Sequence, residues 1–244
     1  MNQLLVALDV ETGARALELA AALDGIAGGF KVGSRLFTRE GPELVRRLAA
    51  TGARVFLDLK FHDIPNTVAQ AVESAVHTGA WMINVHASGG IPMMQAAVQS
   101  GRETADRLHR PAPLLIGVTV LTSLNDAVLR QTGIERPVID QVVALAKLAE
   151  LGGLDGVVAS PQETAAIRQV CGNQFLIVTP GIRGASAGGE RNDQVRTMGP
   201  AEAVQAGASY IVVGRPIIAA PDPRRAAHAI ADELAAGSAS QTPT

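Results

Sequence analysis

The sequence predicts an α/β protein that folds as a TIM (β/α)8 barrel in a single domain, and three observations support that prediction. Short runs of β-branched residues alternate with longer segments of helical periodicity, which is the pattern of parallel strands joined by crossover helices. Eight such strand and helix pairs can be counted along the chain. A length of 244 residues suits one closed barrel. An open, doubly wound parallel sheet is the alternative fold.

The eight predicted strands are short, β-branched and mostly apolar. In chain order they are residues 4–8, 29–32, 55–59, 82–85, 115–120, 156–159, 176–179 and 210–213. Predicted helices fill the gaps. Two of them show apolar residues spaced three and four positions apart, namely Val68, Ala71, Val72, Ala75 and Val76 in one, and Ile139, Val142, Val143, Ala146 and Ala149 in the other. One apolar face on each helix is what a ring of helices around a barrel requires.

The barrel is predicted to occupy residues 1–236. The last segment, residues 237–244, consists of small and polar residues, and we expect it to form a flexible C-terminal tail.

The composition favours a small-molecule partner. A formal net charge of −2 provides no basic field, so we expect no nucleic acid partner. The single cysteine, Cys171, excludes an internal disulfide and agrees with a reducing cytoplasm. The first residues lack a basic export signal, and no apolar run approaches about 18 residues, so we expect a cytoplasmic protein without a membrane partner.

The lysines are unusually few and two of them stand at the ends of predicted strands. The chain has 18 arginines and three lysines, of which Lys31 and Lys60 occupy strand ends. Lysine can give up a proton, whereas guanidinium is effectively always protonated. Asp58 precedes Lys60 and Asp63 follows it, so these carboxylates should hold the ammonium charged. The pattern predicts a proton donor, with an ion-pair network that only stabilises the rim as the alternative.

Polar residues from distant parts of the sequence are predicted to meet at one rim of the barrel. The carboxyl ends of all strands face that rim, which carries the chemistry in this fold. Asp58 and Lys60 are two positions apart in a strand and therefore point to the same side. The residues that follow strands in this way are Asp9, Lys31, Asp58, Lys60, Thr122, Arg183, Gly214 and Arg215. Together they predict an active site.

A phosphate site is predicted at the loops after strands seven and eight, where this fold usually holds phosphate. Gly214 would allow the backbone to approach phosphate oxygens closely, and Arg215 would bind them with its planar fork. The segment 184–192 contains Gly188 and Gly189 and is polar. It is interpreted either as a lid over the ligand or only as a mobile connection.

Three motifs stand at the predicted rim: Asp58-Leu59-Lys60-Phe61-His62-Asp63-Ile64-Pro65-Asn66-Thr67, Thr179-Pro180-Gly181-Ile182-Arg183 and Gly214-Arg215-Pro216. They resemble the motifs of the orotidine 5′-phosphate decarboxylase family. The first string is the most specific, although its aspartate and lysine core also occurs in sugar-phosphate enzymes of the same superfamily. The resemblance spans essentially the whole chain. It implies a homodimeric TIM barrel that converts orotidine 5′-monophosphate to uridine 5′-monophosphate, the last step of pyrimidine synthesis, without metal or organic cofactor.

The same resemblance implies a role for each matching residue. Lys60 would protonate pyrimidine C6, Asp58 would face the departing carboxylate, and Lys31 and Asp63 would complete the charge network. Asp63 would reach the neighbouring subunit's site together with Ile64 and Thr67. The implied substrate contacts are Asp9 and Lys31 to the ribose, Thr122 to the pyrimidine, and Pro180, Arg183, Gln194, Gly214 and Arg215 around the phosphate. The loop from Arg183 to Gln194 is about two residues longer than expected of this family.

Three alternatives remain open at the level of sequence. A metal-dependent relative, such as a hexulose-phosphate synthase or a keto-gulonate-phosphate decarboxylase, would share the aspartate and lysine core, but such enzymes carry an acid for Mg²⁺ where this chain has Lys31. A non-catalytic nucleotide-binding barrel would keep only the phosphate site. A metal site is the third, formed by His62 and His86 with Asp58 and Asp63.

Overall fold

The computed structural model describes residues 3–182 and 198–239, and within the last helix it describes side chains up to residue 236. Eight parallel strands form a closed barrel in sequential order. They are β1 (Leu4–Ala7), β2 (Gly29–Gly33), β3 (Val55–Phe61), β4 (Met82–His86), β5 (Leu114–Val118), β6 (Gly156–Val158), β7 (Leu176–Thr179) and β8 (Tyr210–Val213). Closure is direct, since Leu5 of β1 pairs with Val212 of β8. The predicted barrel is therefore confirmed, and the open sheet is excluded.

Helices connect the strands and surround them. They are α1 (Gly13–Ala22), α2 (Ser34–Glu40), α3 (Pro42–Ala50), α4 (Pro65–Val76), α5 (Gly90–Arg107), α6 (Asp126–Gln131), α7 (Val138–Leu151), α8 (Thr164–Cys171), α9 (Pro200–Gln205), α10 (Arg215–Ile218) and α11 (Pro223–Ala239). Short 3₁₀ turns at Ala87–Gly89 and Pro161–Glu163 precede α5 and α8. None of the helices in the described ranges is long and apolar enough to cross a membrane.

The apolar face of α4 is the face that packs against the barrel. Val68, Val72, Ala75 and Val76 are buried, and they belong to the large apolar cluster between the helices and the outer face of the strands. Pro65 lies in the first turn of α4, where its missing N–H leaves no helical hydrogen bond unmade. The helix thus begins at Pro65, and three residues separate it from the end of β3 at Phe61.

The interior of the barrel is filled by a second, smaller apolar cluster. Its buried members are Leu5, Ala7, Phe56, Met82, Ile116, Val178, Tyr210 and Val212. Because side chains alternate along a strand, the next inward positions of β3 and β4 above this cluster are Asp58 and Asn84. The polar groups of the rim consequently rest on an apolar floor.

Strands β7 and β8 are anchored at the end of the barrel opposite the rim. Arg168 of α8 donates hydrogen bonds to the carbonyl oxygens of Gly172 and Gly207, each at 2.8 Å, and to the hydroxyl of Ser209 at 2.9 Å. It also donates to the carbonyl oxygen of Phe175, which precedes β7. The fork of one guanidinium thus holds the starts of both strands whose far ends were predicted to bind phosphate.

Several predicted boundaries differ from the structure, and three of the differences concern the site or the last helix. Strand β3 runs two residues further than predicted, to Phe61, so Lys60 lies inside the strand. Strand β5 ends at Val118, which leaves Thr122 in the loop that follows. Helix α11 continues to Ala239, beyond the predicted barrel limit at residue 236.

Candidate active site

A cavity of about 480 Å³ opens at the carboxyl ends of the strands. This volume is typical of pockets that hold a small ligand. The predicted site residues that line it are Asp9, Lys31, Asp58, Lys60, Thr122, Pro180, Gly214 and Arg215. The apolar part of the wall includes Val118, Val158 and Ile182. The structure therefore places most of the predicted side chains around one space.

Four charged side chains form a chain of alternating sign across this cavity. Asp9 Oδ1 lies 3.2 Å from Lys31 Nζ, and Lys31 Nζ lies 3.4 Å from Asp58 Oδ2. The other oxygen, Asp58 Oδ1, lies 2.6 Å from Lys60 Nζ. Exposure of the side chains falls from 56% for Asp9 to 12% for Lys31 and 13% for Asp58, and rises to 34% for Lys60. Lys60 therefore presents its ammonium to the cavity while Asp58 is held beneath it.

The local backbone of β3 is irregular where it carries these residues. Leu57 pairs with Ile83 and Phe61 with Val85, so the register between β3 and β4 shifts in between. Within that interval Lys60 has a φ of 54°, in the left-handed region that residues other than glycine rarely adopt. Asp58 and Lys60 are in contact, as expected, but the strand between them is bulged and not regular.

Asn84 is a polar residue of this site that the sequence reasoning missed. Its side chain is fully buried in β4. Its Nδ2 donates a hydrogen bond to Asp58 Oδ1 at 2.7 Å, and its Oδ1 accepts one from the Lys60 backbone N–H at 2.8 Å. The available signal was an asparagine at an inward position of an otherwise apolar strand, where a buried amide needs polar partners.

The electrostatic environment favours the ionised form of Asp58. Burial by itself raises the pKa of this carboxyl, but the charges of Lys31 and Lys60 and the hydrogen bonds from Lys60 and Asn84 outweigh burial. The net effect lowers the pKa below its ordinary value. A buried carboxylate is thus kept negative between two ammonium groups.

Gly33 provides the space that Lys31 occupies. A Cβ atom at this position would lie 3.0 Å from Lys31 Nζ and 3.5 Å from Asp9 Oδ1. A side chain there would crowd the ammonium, which would have to give way by a few tenths of an ångström. At Gly214 a Cβ would make an ordinary van der Waals contact with Asp9 Oδ2, at 3.6 Å.

Three predicted site residues lie between the end of β3 and the first turn of α4. Asp63, Ile64 and Thr67 are exposed, with Ile64 at 66%. Asp63 Oδ1 accepts a hydrogen bond from the Ile64 N–H at 2.6 Å. Within the described residues, the ion pairs of Lys60 include Asp58 and not Asp63. The expected pairing of Lys60 is thus found for Asp58, and the expected contribution of Asp63 stays a prediction.

Two histidines stand beside this loop. The ring centroids of His62 and His86 are 5.3 Å apart and the rings are tilted by 34°. Burial, and then the neighbouring charges of His62 and Lys60, lower the pKa of His86. The described part of the chain contains no group of three or more side chains arranged to hold a metal ion, so these histidines do not gather Asp58 and Asp63 around them.

Two predicted phosphate ligands, Arg183 and Gln194, lie outside the described residues, as does the glycine-rich segment 184–192. Their proposed contacts therefore rest on the sequence alone. Pro180, Gly214 and Arg215 bound the cavity on the side from which that segment leaves.

Comparison with known proteins gives a consistent result. Residues 2–230 match the model of the orotidine 5′-phosphate decarboxylase / HUMPS family. The chain belongs to this family. The orotidine 5′-phosphate decarboxylase of Moorella thermoacetica is 56% identical over 234 residues, which are 96% of this chain and 92% of that protein. The enzyme of the same name from Syntrophotalea carbinolica is 53% identical over 235 residues, 96% of each chain.

Two solved structures superpose closely on this chain. The crystal structure of orotidine 5′-phosphate decarboxylase from Lactobacillus acidophilus has a TM-score of 0.83 at 37% identity and covers 96% of this chain and 99% of that one. An uncharacterized conserved protein from Geobacillus kaustophilus has a TM-score of 0.82 at 38% identity, with coverage of 95% and 99%. The resemblance indicated by the motifs is confirmed, as is the expected enzyme class, the carboxy-lyases.

A titration of stability should detect the ionised state of Asp58. Because its folded-state pKa is lowered, its charge stabilises the fold above about pH 4, and this stabilisation is lost as the pH falls through the lower folded-state pKa. The free energy of unfolding of the parent, relative to Asp58→Asn, should therefore decrease between about pH 7 and about pH 3. Urea unfolding at several pH values measures the difference.

Thr78→Val is the control for that titration, because it removes a buried hydroxyl that donates to the Ala75 carbonyl oxygen at 2.6 Å but removes no charge. Its difference from the parent should not depend on pH. The same constant difference for Asp58→Asn would contradict the lowered pKa.

Proposed function

We propose that this protein decarboxylates orotidine 5′-monophosphate to uridine 5′-monophosphate and CO2 in pyrimidine biosynthesis. The observation that supports this most directly is the alternating chain of Asp9, Lys31, Asp58 and Lys60 across the rim cavity of a member of this family. The location expected from the composition, the cytoplasm, stays a prediction.

The geometry suits a reaction in which negative charge develops on carbon. When the bond from pyrimidine C6 to the carboxylate carbon breaks, CO2 leaves and the electron pair stays on C6. A fixed positive group must already stand where that charge appears, because rearrangement during the reaction would raise the barrier. Lys60 Nζ lines the cavity and is held by Asp58 Oδ1 at 2.6 Å. In the proposed mechanism it stabilises the carbanion and then gives its proton to C6.

Asp58 has a different task in this proposal. Its lowered pKa keeps it ionised, and a negative carboxylate next to the substrate carboxylate destabilises the bound substrate. Departure of neutral CO2 relieves the repulsion. Asp58 also keeps Lys60 and Lys31 apart while attracting both, since its two oxygens each face one ammonium.

The remaining cavity residues are assigned to binding. Asp9 and Lys31 are proposed to hold the ribose hydroxyls and Thr122 the pyrimidine edge. Pro180, Gly214 and Arg215 are proposed to surround the phosphate together with Arg183 and Gln194. Binding energy from a phosphate remote from C6 can be used to organise the reacting end of the site.

Lys31 also favours a reaction without metal ion or other cofactor. Its Nζ lies between Asp9 and Asp58, at 3.2 and 3.4 Å, and thereby occupies the position between carboxylates at which a cation would bind. An ammonium there repels Mg²⁺. This observation favours the decarboxylase over the metal-dependent sugar-phosphate enzymes. A purely nucleotide-binding barrel is disfavoured because it has no use for a lysine and carboxylate pair facing the cavity.

We further propose a homodimer with shared active sites. Asp63 and Ile64 are exposed in the loop after β3, and Thr67 is exposed in the first turn of α4. A two-fold dimer would bring this loop to the cavity of the second copy, since each patch meets its counterpart in such an interface.

Removal of the Lys60 amine should abolish most turnover. Lys60→Ala loses both the proton donor and the fixed charge, so kcat should fall by more than about 10⁴-fold. Binding of uridine monophosphate should persist. Lys147→Ala is the matched control, because Lys147 is an exposed lysine of α7, and it should leave kcat unchanged. Turnover of Lys60→Ala within about tenfold of the parent would disprove the role of Lys60.

The phosphate assignment can be tested with two ligands. Arg215→Ala should weaken binding of uridine monophosphate by about 2 to 4 kcal/mol and leave binding of uridine almost unchanged, because only the nucleotide makes the charge-assisted contact. Calorimetric titration of both ligands measures this. Arg225→Ala, which removes an exposed arginine of α11, should change neither. Equal losses for both ligands would place the phosphate elsewhere.

Mixing two inactive variants tests the shared site. Lys60→Ala and Asp63→Ala each damage every site of their own homodimers, but a hybrid dimer regenerates one site with both residues intact. At equal mixing about half of the dimers are hybrid, so activity should return to about a quarter of the parent value. Subunit exchange is verified by native mass spectrometry. Exchange without recovered activity would show that each Asp63 serves its own chain.

A further inference from the structure

We propose that Asn84 is a positioning residue that fixes the Asp58 carboxylate and the Lys60 backbone relative to one another. The inference rests on the proposed roles of Asp58 and Lys60, since Asn84 is fully buried and acts through them. A residue beneath the cavity can affect the reaction only by controlling the groups that face it.

The hydrogen bonds of Asn84 join the side chain of Asp58 to the backbone of Lys60. The amide nitrogen donates to Asp58 Oδ1 at 2.7 Å, and the amide oxygen accepts from the Lys60 N–H at 2.8 Å. Asp58 Oδ1 also binds Lys60 Nζ at 2.6 Å. The side chain of Lys60 therefore binds Asp58, its backbone binds Asn84, and Asp58 and Asn84 bind each other. These three contacts restrict the movement of Lys60.

The backbone of Lys60 needs this support. Its φ of 54° is in the left-handed region, which is unfavourable for a residue with a Cβ atom and persists only when its surroundings impose it. The register of β3 and β4 shifts over the same residues. The Asn84 amide oxygen binds the Lys60 N–H within that interruption and stabilises the conformation that directs Nζ to Asp58.

An amide is the only uncharged side chain of this size that satisfies both partners. The N–H of Lys60 requires an acceptor, and the ionised oxygen of Asp58 requires a donor. Aspartate would retain the acceptor but oppose a second carboxylate to Asp58, and alanine would supply neither group. Glutamine carries one methylene more, which a closely packed interior accommodates poorly.

Asn84→Ala and Asn84→Asp should show opposite pH dependences of activity relative to the parent. Asn84→Ala removes the donor that favours ionised Asp58, so its activity relative to the parent should fall further as the pH is lowered. Asn84→Asp places two carboxylates in contact, which repel one another unless one takes up a proton. Its activity relative to the parent should therefore rise as the pH is lowered, because the protonated carboxyl again donates to Asp58.

The expected size of the effect follows from misplacement of the reacting groups. Near neutral pH both variants should lose about 10²-fold in kcat, whereas KM should change by less than about threefold because the proposed phosphate contacts, after β7 and β8, are remote from Asn84. Thr78→Val serves as the control for loss of a buried polar group, with its hydroxyl bound only to a local carbonyl oxygen at 2.6 Å. It should lower thermal stability and leave the pH profile unchanged.

A double-mutant cycle separates this inference from the proposed function. In the Lys60→Ala background, Asn84→Ala should reduce kcat by less than about threefold if it acts through Lys60. A full 10²-fold loss in that background would give Asn84 an independent role and overturn the inference. If Lys60→Ala alone retains turnover, the proposed role of Lys60 is wrong. The hydrogen bond from Asn84 to Asp58 is then tested separately, by the NMR measurement that follows.

The parent protein supplies a test that requires no variant to fold. The side-chain NH2 resonances of Asn84 should shift with the titration of Asp58, because the amide donates to that carboxylate. Resonances that do not respond, activity of Asn84→Ala within about threefold of the parent, or relative activities of both variants that do not vary with pH would each overturn the inference.

Discussion

The ionised Asp58 carboxylate between Lys31 and Lys60 is the interaction on which the rest of the site depends. Each oxygen faces a different ammonium, at 3.4 and 2.6 Å. A charge with so little access to water costs free energy unless it is paired and hydrogen-bonded, and here both conditions are met. The same pairing that stabilises Asp58 also fixes the two lysines, so one buried charge determines the geometry of its neighbours.

The barrel supplies the conditions for that pairing. Sequential strand order makes β1, β2 and β3 neighbours, which brings their carboxyl ends, and therefore Asp9, Lys31 and Asp58, into contact. The apolar cluster inside the barrel provides a floor of low dielectric constant, and electrostatic interactions above it are stronger than in solution. Gly33 leaves the room in which Lys31 reaches both carboxylates.

The two ends of the cavity, proposed to carry the reaction and to bind the phosphate, have different structural origins. Strands β1 to β4 carry the charged groups and the buried amide, whereas the loops after β7 and β8 bound the side proposed to receive the phosphate. Arg168 holds those two strands at their opposite ends, so the phosphate side is anchored independently of the charge network. Separation of this kind allows binding energy to be gained at one end while chemistry proceeds at the other.

The sequence by itself determined the fold class, the rim and most of the side chains around the cavity. Hydrophobic periodicity is local, and in a parallel barrel all strand ends face one rim, so residues such as Lys31 and Gly214 could be placed without a structure. The motif from Asp58 to Thr67 was specific enough to indicate the family. Tertiary structure alone decided that Lys60 takes a left-handed backbone and that Asn84 joins it to Asp58. The reason is physical. Spacing along a strand fixes which side of the sheet a residue faces. The backbone dihedrals of Lys60 and its cross-strand partner depend instead on the register between β3 and β4, and the sequence carries no periodic signal for that register.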